Sequence, residues 1–175
     1  MSLLERKVLW NIESLWWHAA LACTLLVSSS AGLAGDDFGT TTPASGLDIV
    51  RAEFGMLNPT GSGKPGFVPS KVIPFIPKQG YGWVIQLRTD KQNIKWKEEF
   101  TLPTKPEIWG GPEVKGVRSI NDEGRVSIIE REVALDSRRI IYNAWSVAQG
   151  DPKGRYVIRV FVENSLAATF EFEVR

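Results

Sequence analysis

The stretch DPKGRYVIRVFVEN, residues 151–164, decides the fold. It begins with a turn that contains Pro and Gly, and it continues as a strand in which side chains alternate between two faces. One face is wholly apolar or aromatic and carries Tyr156, Ile158, Val160 and Val162. The other face carries Val157, Arg159 and Phe161. This pattern predicts a strand that faces a core, followed by a turn at 163–165 and a last strand from Leu166 to Val174.

The position of Tyr156 gives this stretch a resemblance to a known class of domain. In immunoglobulin-like domains a Tyr near the start of strand F bonds back to the upstream backbone and forms the tyrosine corner. Antibody domains have Cys two places later, whereas this chain has Ile158 and lacks the partner Cys. Residues 145–175 therefore resemble bacterial immunoglobulin-like modules without a disulfide. They are also similar to small exported families of unassigned function, so the resemblance implies a fold and no chemistry.

The rest of residues 47–175 has the pattern of an antiparallel sandwich. Apolar runs separated by Gly, Pro and Asn predict about seven strands: 47–54, 83–88, 94–102, 126–135, 140–147, 156–162 and 166–174. Five Pro residues between 58 and 80 predict an extended path at a sheet edge, because Pro cannot donate a ladder hydrogen bond. Glu98 is the one acidic residue on the apolar face of its strand. We expect an all-β, immunoglobulin-like antiparallel sandwich after one N-terminal apolar helix.

The N-terminus allows two interpretations. Arg6 and Lys7 precede an uncharged stretch from Leu15 to Ala34, which is long enough to span a membrane and has Trp16 and Trp17 near one end. The same stretch ends in small residues, as a cleaved secretory signal does. Residues 1–34 are thus predicted to be an anchor or a signal, and residues 35–46 a linker. Either one places the domain on the periplasmic side of the inner membrane.

Composition excludes several functions. The only Cys is Cys23 and the only His is His18, so residues 35–175 hold neither a Cys nucleophile nor a His base or metal ligand. A net charge of +1 argues against nucleic-acid binding. His18 lies in the apolar stretch, where it either ligates a haem or pigment metal or is an ordinary interfacial His. We therefore predict no enzyme activity, cofactor or metal for the domain.

Apolar groups outside the predicted core are the candidates for partner binding. Val157 and Phe161, with Arg159 between them, form the face of their strand that points away from the core. The other candidates lie in long loops and are Phe67, Phe75 and Trp109. In the alternative interpretation, these loops fold back and cover the sandwich themselves. We predict a non-catalytic, membrane-anchored accessory subunit of a respiratory or photosynthetic inner-membrane complex; the alternative is a cleaved periplasmic module that binds a polysaccharide or protein.

Overall fold

The computed structural model describes residues 47–59, 65–109, 117–121 and 123–175. Within these ranges the chain forms ten strands and no helix. They are β1 (Leu47–Pro59), β2 (Pro65–Pro69), β3 (Val72–Ile73), β4 (Gly80–Thr89), β5 (Asn93–Thr101), β6 (Val117–Ile120), β7 (Val126–Ala134), β8 (Ile140–Ser146), β9 (Gly154–Val162) and β10 (Ser165–Val174). All seven predicted strands are present, and the three additional ones, β2, β3 and β6, are short. The predicted N-terminal helix and the linker lie outside the described residues.

The strands form two sheets. The four-stranded sheet has the order β2-β1-β4-β8, and the six-stranded sheet has the order β3-β10-β9-β5-β7-β6. An immunoglobulin domain pairs strands A, B and E in one sheet and C, F and G in the other. Here β1, β4 and β8 correspond to the first set, and β5, β9 and β10 to the second. The prediction of an all-β sandwich of this type is confirmed.

The Pro-rich segment supplies an edge to each sheet, as its Pro residues predict. β2 pairs with β1 at one edge of the four-stranded sheet, and β3 pairs in parallel with β10 at one edge of the six-stranded sheet. The first strand does not end at Gly55 as expected but continues to Pro59. Gly55 permits this continuation because a Cβ there would overlap the Val68 carbonyl oxygen of β2.

The core lies between the two sheets and is rich in aromatic side chains. The alternation seen in the sequence is confirmed for β9, where Tyr156, Ile158, Val160 and Val162 are all buried. β5 contributes Ile94, Trp96 and Phe100 to the same core. Glu98 is as deeply buried as these neighbours, and β5 pairs with β7 and β9 there without a bulge.

The tyrosine corner is present at the start of β9. The Tyr156 hydroxyl donates to the Pro152 carbonyl oxygen over 2.5 Å, four residues upstream. Glu163 and Asn164 then join β9 to β10, both with positive φ, as a two-residue turn of type I′ requires. The tyrosine corner and this turn thus fix the hairpin of β9 and β10.

Candidate functional site

The outward face of β9 carries three of the residues predicted to bind a partner. Val157 and Phe161 are half-buried and Arg159 is exposed, because the alternate residues of β9 are the ones that enter the core. β9 lies between β10 and β5, so these side chains are within the face of the six-stranded sheet and away from its edges. The structure therefore brings Val157, Arg159 and Phe161 together on one surface.

Charged side chains surround the Phe161 ring. Its centroid is 4.3 Å from Lys97 Nζ and 5.0 Å from the Arg159 guanidinium carbon. Glu99 accepts hydrogen bonds from both cations, over 2.8 Å from Lys97 Nζ and 3.2 Å from Arg159 Nη1. Leu166 of β10 pairs with Phe161 and is 53% exposed. We call this surface the β9 patch; it comprises Lys97, Glu99, Val157, Arg159, Phe161 and Leu166.

The other three predicted residues lie elsewhere. Phe67 is half-buried on β2, opposite Leu57 of β1 in the four-stranded sheet. The Phe75 ring packs against the core, with Lys153 Nζ 5.0 Å from its centroid. Trp109 also packs against the core and donates from Nε1 to the Gly124 carbonyl oxygen over 2.7 Å. None of the three belongs to the β9 patch, and their part in partner binding stays a prediction.

Glu98 is the centre of a polar network between the sheets. Its carboxylate accepts hydrogen bonds from the indole N–H of Trp83, from the Asn143 amide over 3.0 and 3.1 Å, and from the Trp145 indole over 2.9 Å. Trp83 lies on β4 and the other two donors on β8, whereas Glu98 lies on β5. The network therefore links the two sheets through side chains. In the sequence Glu98 is the one acidic residue on the apolar face of its strand. Its three hydrogen-bond donors could not be predicted there, because only folding brings them together.

Burial controls the electrostatics of this network. Desolvation raises the pKa of Glu98, while the three N–H donors and the charge of Arg131 oppose that rise. Burial also lowers the pKa of Arg118 and Arg131, and the nearby Glu98 carboxylate offsets part of this effect. Each guanidinium lies over an indole ring, Arg131 over Trp96 at 5.4 Å and Arg118 over Trp145 at 5.6 Å. The acid is thus enclosed by donors and cations and is closed to solvent.

A groove crosses the outer face of the four-stranded sheet. Its volume is about 190 Å³, and its lining comprises Arg51, Glu53, Val84, Gln86, Arg138 and Ile140. Strand pairing places Arg51, Gln86 and Ile140 in one row across three strands, with Glu53 and Val84 in the next row. Sequence reasoning missed this groove because its lining comes from segments far apart in the chain. Strand alternation alone could have identified Val84 and Gln86 as outward residues.

Metal-binding clusters and membrane-spanning helices are both absent from the described ranges. No group of three or more His, Cys, Asp or Glu side chains there is arranged to hold a metal ion. The same ranges contain no helix with the length and apolarity needed to cross a membrane. The predicted anchor, Leu15 to Ala34, and His18 lie outside them.

Residues 52–175 match the family described as the PM0630 beta sandwich domain. The chain belongs to this family. The match includes most of β1 and all nine later strands, so it contains the whole β9 patch and every residue that lines the groove except Arg51. The strand order, the tyrosine corner and the family match confirm the resemblance to immunoglobulin-like sandwich modules, and the described residues contain no Cys that could form a disulfide.

Two solved structures are similar to this chain. One is an immunoglobulin-like protein from Pseudomonas aeruginosa, with 16% sequence identity, a TM-score of 0.49, and coverage of 77% of this chain and 100% of that one. The other is the DNA-bound alkylpurine DNA glycosylase AlkC from Pseudomonas fluorescens, with 11% identity and a TM-score of 0.40. The alignment to AlkC covers 75% of this chain and 31% of that one. No curated protein matches the chain.

Proposed function

We propose that this sandwich is a non-catalytic interaction module that binds a protein partner through the β9 patch. The observation that carries the proposal is the pairing of Phe161 with the exposed Leu166, on inner strands of the sheet beside the β9–β10 turn, with Lys97 and Arg159 over the Phe161 ring. Aromatic side chains and Arg are enriched in protein interfaces and supply most of their binding energy. An apolar centre with a charged rim has the composition of such an interface.

The non-catalytic part of the proposal is supported by the enclosure of Glu98. Its side chain is fully buried and accepts hydrogen bonds from three residues, so a substrate has no direct access to this carboxylate. Glu99, the acid of the β9 patch, is paired with Lys97 and Arg159. Residues 35–175 also contain no Cys or His that would act as a nucleophile or base.

The location of the module is the second part of the proposal. Leu15 to Ala34 would anchor the chain in the inner membrane, with the sandwich on the periplasmic side. The partner would then be a larger inner-membrane complex, respiratory or photosynthetic in kind, to which this chain is an accessory subunit. The competing proposal is a free periplasmic module, released by cleavage near Ala34, that binds a polysaccharide or a protein.

Site-specific photo-crosslinking in cells tests the β9 patch. A photoreactive phenylalanine analogue replaces Phe161 in one variant and Tyr142 in a matched control. Tyr142 is also aromatic and is 44% exposed, but it lies on β8 in the other sheet. We expect position 161 to form a covalent adduct with an integral membrane protein and position 142 to form no adduct with a protein.

The outcomes separate the two parts of the proposal. Equal adducts at both positions, or adducts at 142 alone, would reject the β9 patch as the interface. Intact mass measured on membrane and soluble fractions tests the anchor independently. A soluble species that starts near Gly35 would reject the anchored subunit and favour the free periplasmic module.

A further inference from the structure

We infer that the groove on the four-stranded sheet is a binding site for a neutral carbohydrate chain. This site lies on the opposite sheet from the β9 patch and does not depend on the proposed protein partner. Val84 forms the floor of the groove, since it faces outward on β4 and yet is only 7% exposed. Ile140 adds a second aliphatic side chain to the lining. The two provide an apolar surface of the kind that the C–H face of a pyranose ring requires.

The walls of the groove are planar polar side chains. Arg51 and Glu53 line it from β1, Gln86 from β4 and Arg138 from the turn before β8. A guanidinium, a carboxylate and an amide each present two or more donors or acceptors in a fixed plane. Neighbouring hydroxyls of a sugar ring match this spacing. Small-ligand sites generally combine an apolar surface with a few such polar groups.

Each charged side chain that lines the groove is in an ion pair, and this favours a neutral ligand. Arg51 forms an ion pair with Glu53 over 2.5 Å. Arg138 forms one with Asp136 over 2.6 Å, and the bond from Arg138 lowers the pKa of Asp136, which stays ionised at neutral pH. An anionic or cationic ligand would have to compete with one of these pairs, whereas hydroxyl groups can bond to the Gln86 amide without disrupting either pair.

The groove is part of a longer surface, which indicates a chain and not a single sugar. Tyr142 pairs with Val84 in the row that also holds Glu53, and it lies on the edge strand of the sheet. It is 44% exposed and continues the row of the groove towards the sheet edge. A second sugar unit would therefore meet this amphipathic ring, since Tyr offers both an apolar face and a hydroxyl.

NMR titration of the full-length, ¹⁵N-labelled chain tests this site. The probes are neutral gluco-oligosaccharides with β-1,4 and α-1,4 linkages and a neutral N-acetylglucosamine oligomer, and sugar-based detergents are avoided. We expect at least one probe to shift the amide signals of Val84, Gln86 and Ile140 but not those of Phe161. Gln86→Ala should weaken that binding by about tenfold, because the lost hydrogen bonds change the free energy of binding by about 1.4 kcal/mol.

The controls decide between this inference and its competitors. Phe161→Ala should leave the affinity unchanged and should show that the two surfaces act independently. Tyr142→Ala should weaken binding of an oligosaccharide more than that of the matching monosaccharide. The absence of shifts with every neutral probe at millimolar concentration would overturn the inference. So would shifts outside the groove, an unchanged affinity of Gln86→Ala, or binding of acidic oligosaccharides alone.

Discussion

Two neighbouring residues of β5, Glu98 and Glu99, have opposite surroundings. Glu98 faces the core, is fully buried and accepts hydrogen bonds from three residues of the opposite sheet. Glu99 faces outward and pairs with Lys97 and Arg159, whose side chains are 34% and 48% exposed. The residue type is the same, and only the alternation of the strand separates the two sites.

The difference teaches what each face of the sheet contributes. A buried charge is tolerated only where its hydrogen bonds are satisfied, so the network around Glu98 requires the two sheets to be correctly placed. An exposed ion pair contributes little to stability because water screens it. The inner face of β5 therefore specifies the fold, and its outer face is available for binding.

The largest effect is expected for Glu98→Ala. This change leaves the N–H groups of Trp83, Asn143 and Trp145 without their acceptor and leaves Arg131 without its nearby counter-charge. Removal of one partner from a buried charge network costs about 3–5 kcal/mol. We expect a loss of that size in the free energy of unfolding, measured by urea denaturation.

The matched control for this experiment is Glu99→Ala, which changes the same residue type one position along the strand. Its loss should stay below about 1 kcal/mol, since both of its pairs are on the surface. Similar losses for the two variants would show that the inner and outer faces do not differ as their contacts indicate.

The titration of Glu98 should make a smaller contribution to the free energy of unfolding, and the direction in which this contribution changes with pH can be stated. Burial raises the pKa of Glu98 above its ordinary value of 4.5, so the folded protein holds this proton more tightly than the unfolded chain does. The stability that this proton contributes is present below pH 4.5 and is lost as the pH rises through the folded pKa. Glu98→Gln does not titrate. The free energy of unfolding of the wild type minus that of Glu98→Gln should therefore fall over this range.

The subtraction is needed because other acids act in the opposite direction. Hydrogen bonds from Lys95 and Lys91 lower the pKa of Glu163, and those from Arg138 lower the pKa of Asp136. Their stabilising effects are present at neutral pH and are lost as the pH falls. Both acids occur in both proteins and cancel in the difference. A difference that increased with pH would mean that the network prefers the ionised carboxylate.

Local patterns were sufficient to predict much of the fold. The period of two in β5 and β9, the Pro-rich edges and the turn before Tyr156 each depend on a few consecutive residues, and the structure contains all of them. The extension of β1 past Gly55 was not predictable in this way. It depends on the close approach of β2 at that position, which involves Val68, thirteen residues later in the sequence.

The candidate sites could be predicted only in part, because they combine distant segments. Outward placement of Val157, Arg159 and Phe161 followed from alternation within β9 alone. The positions of the cations around Phe161 could not be predicted in this way. Lys97 is on β5, and the register of β5 with β9 is a tertiary property. The groove and the donors of Glu98 depend in the same way on pairings between β1, β4 and β8 or on contacts between the sheets.

The smallest expected effect concerns salt and the outer face. Glu99→Gln removes the charge that pairs with Lys97 and Arg159, and it should cost less than about 1 kcal/mol in dilute buffer. That loss should disappear at about 1 M salt, where the Debye length is about 3 Å. The loss caused by Glu98→Ala should persist, because buried charges are screened much less. If Glu99→Gln instead cost about 2 kcal/mol or more and the cost persisted in salt, the outer network would be structural. Lys97 and Arg159 would then be fixed over Phe161, and the β9 patch would have to bind its partner without uncovering that ring.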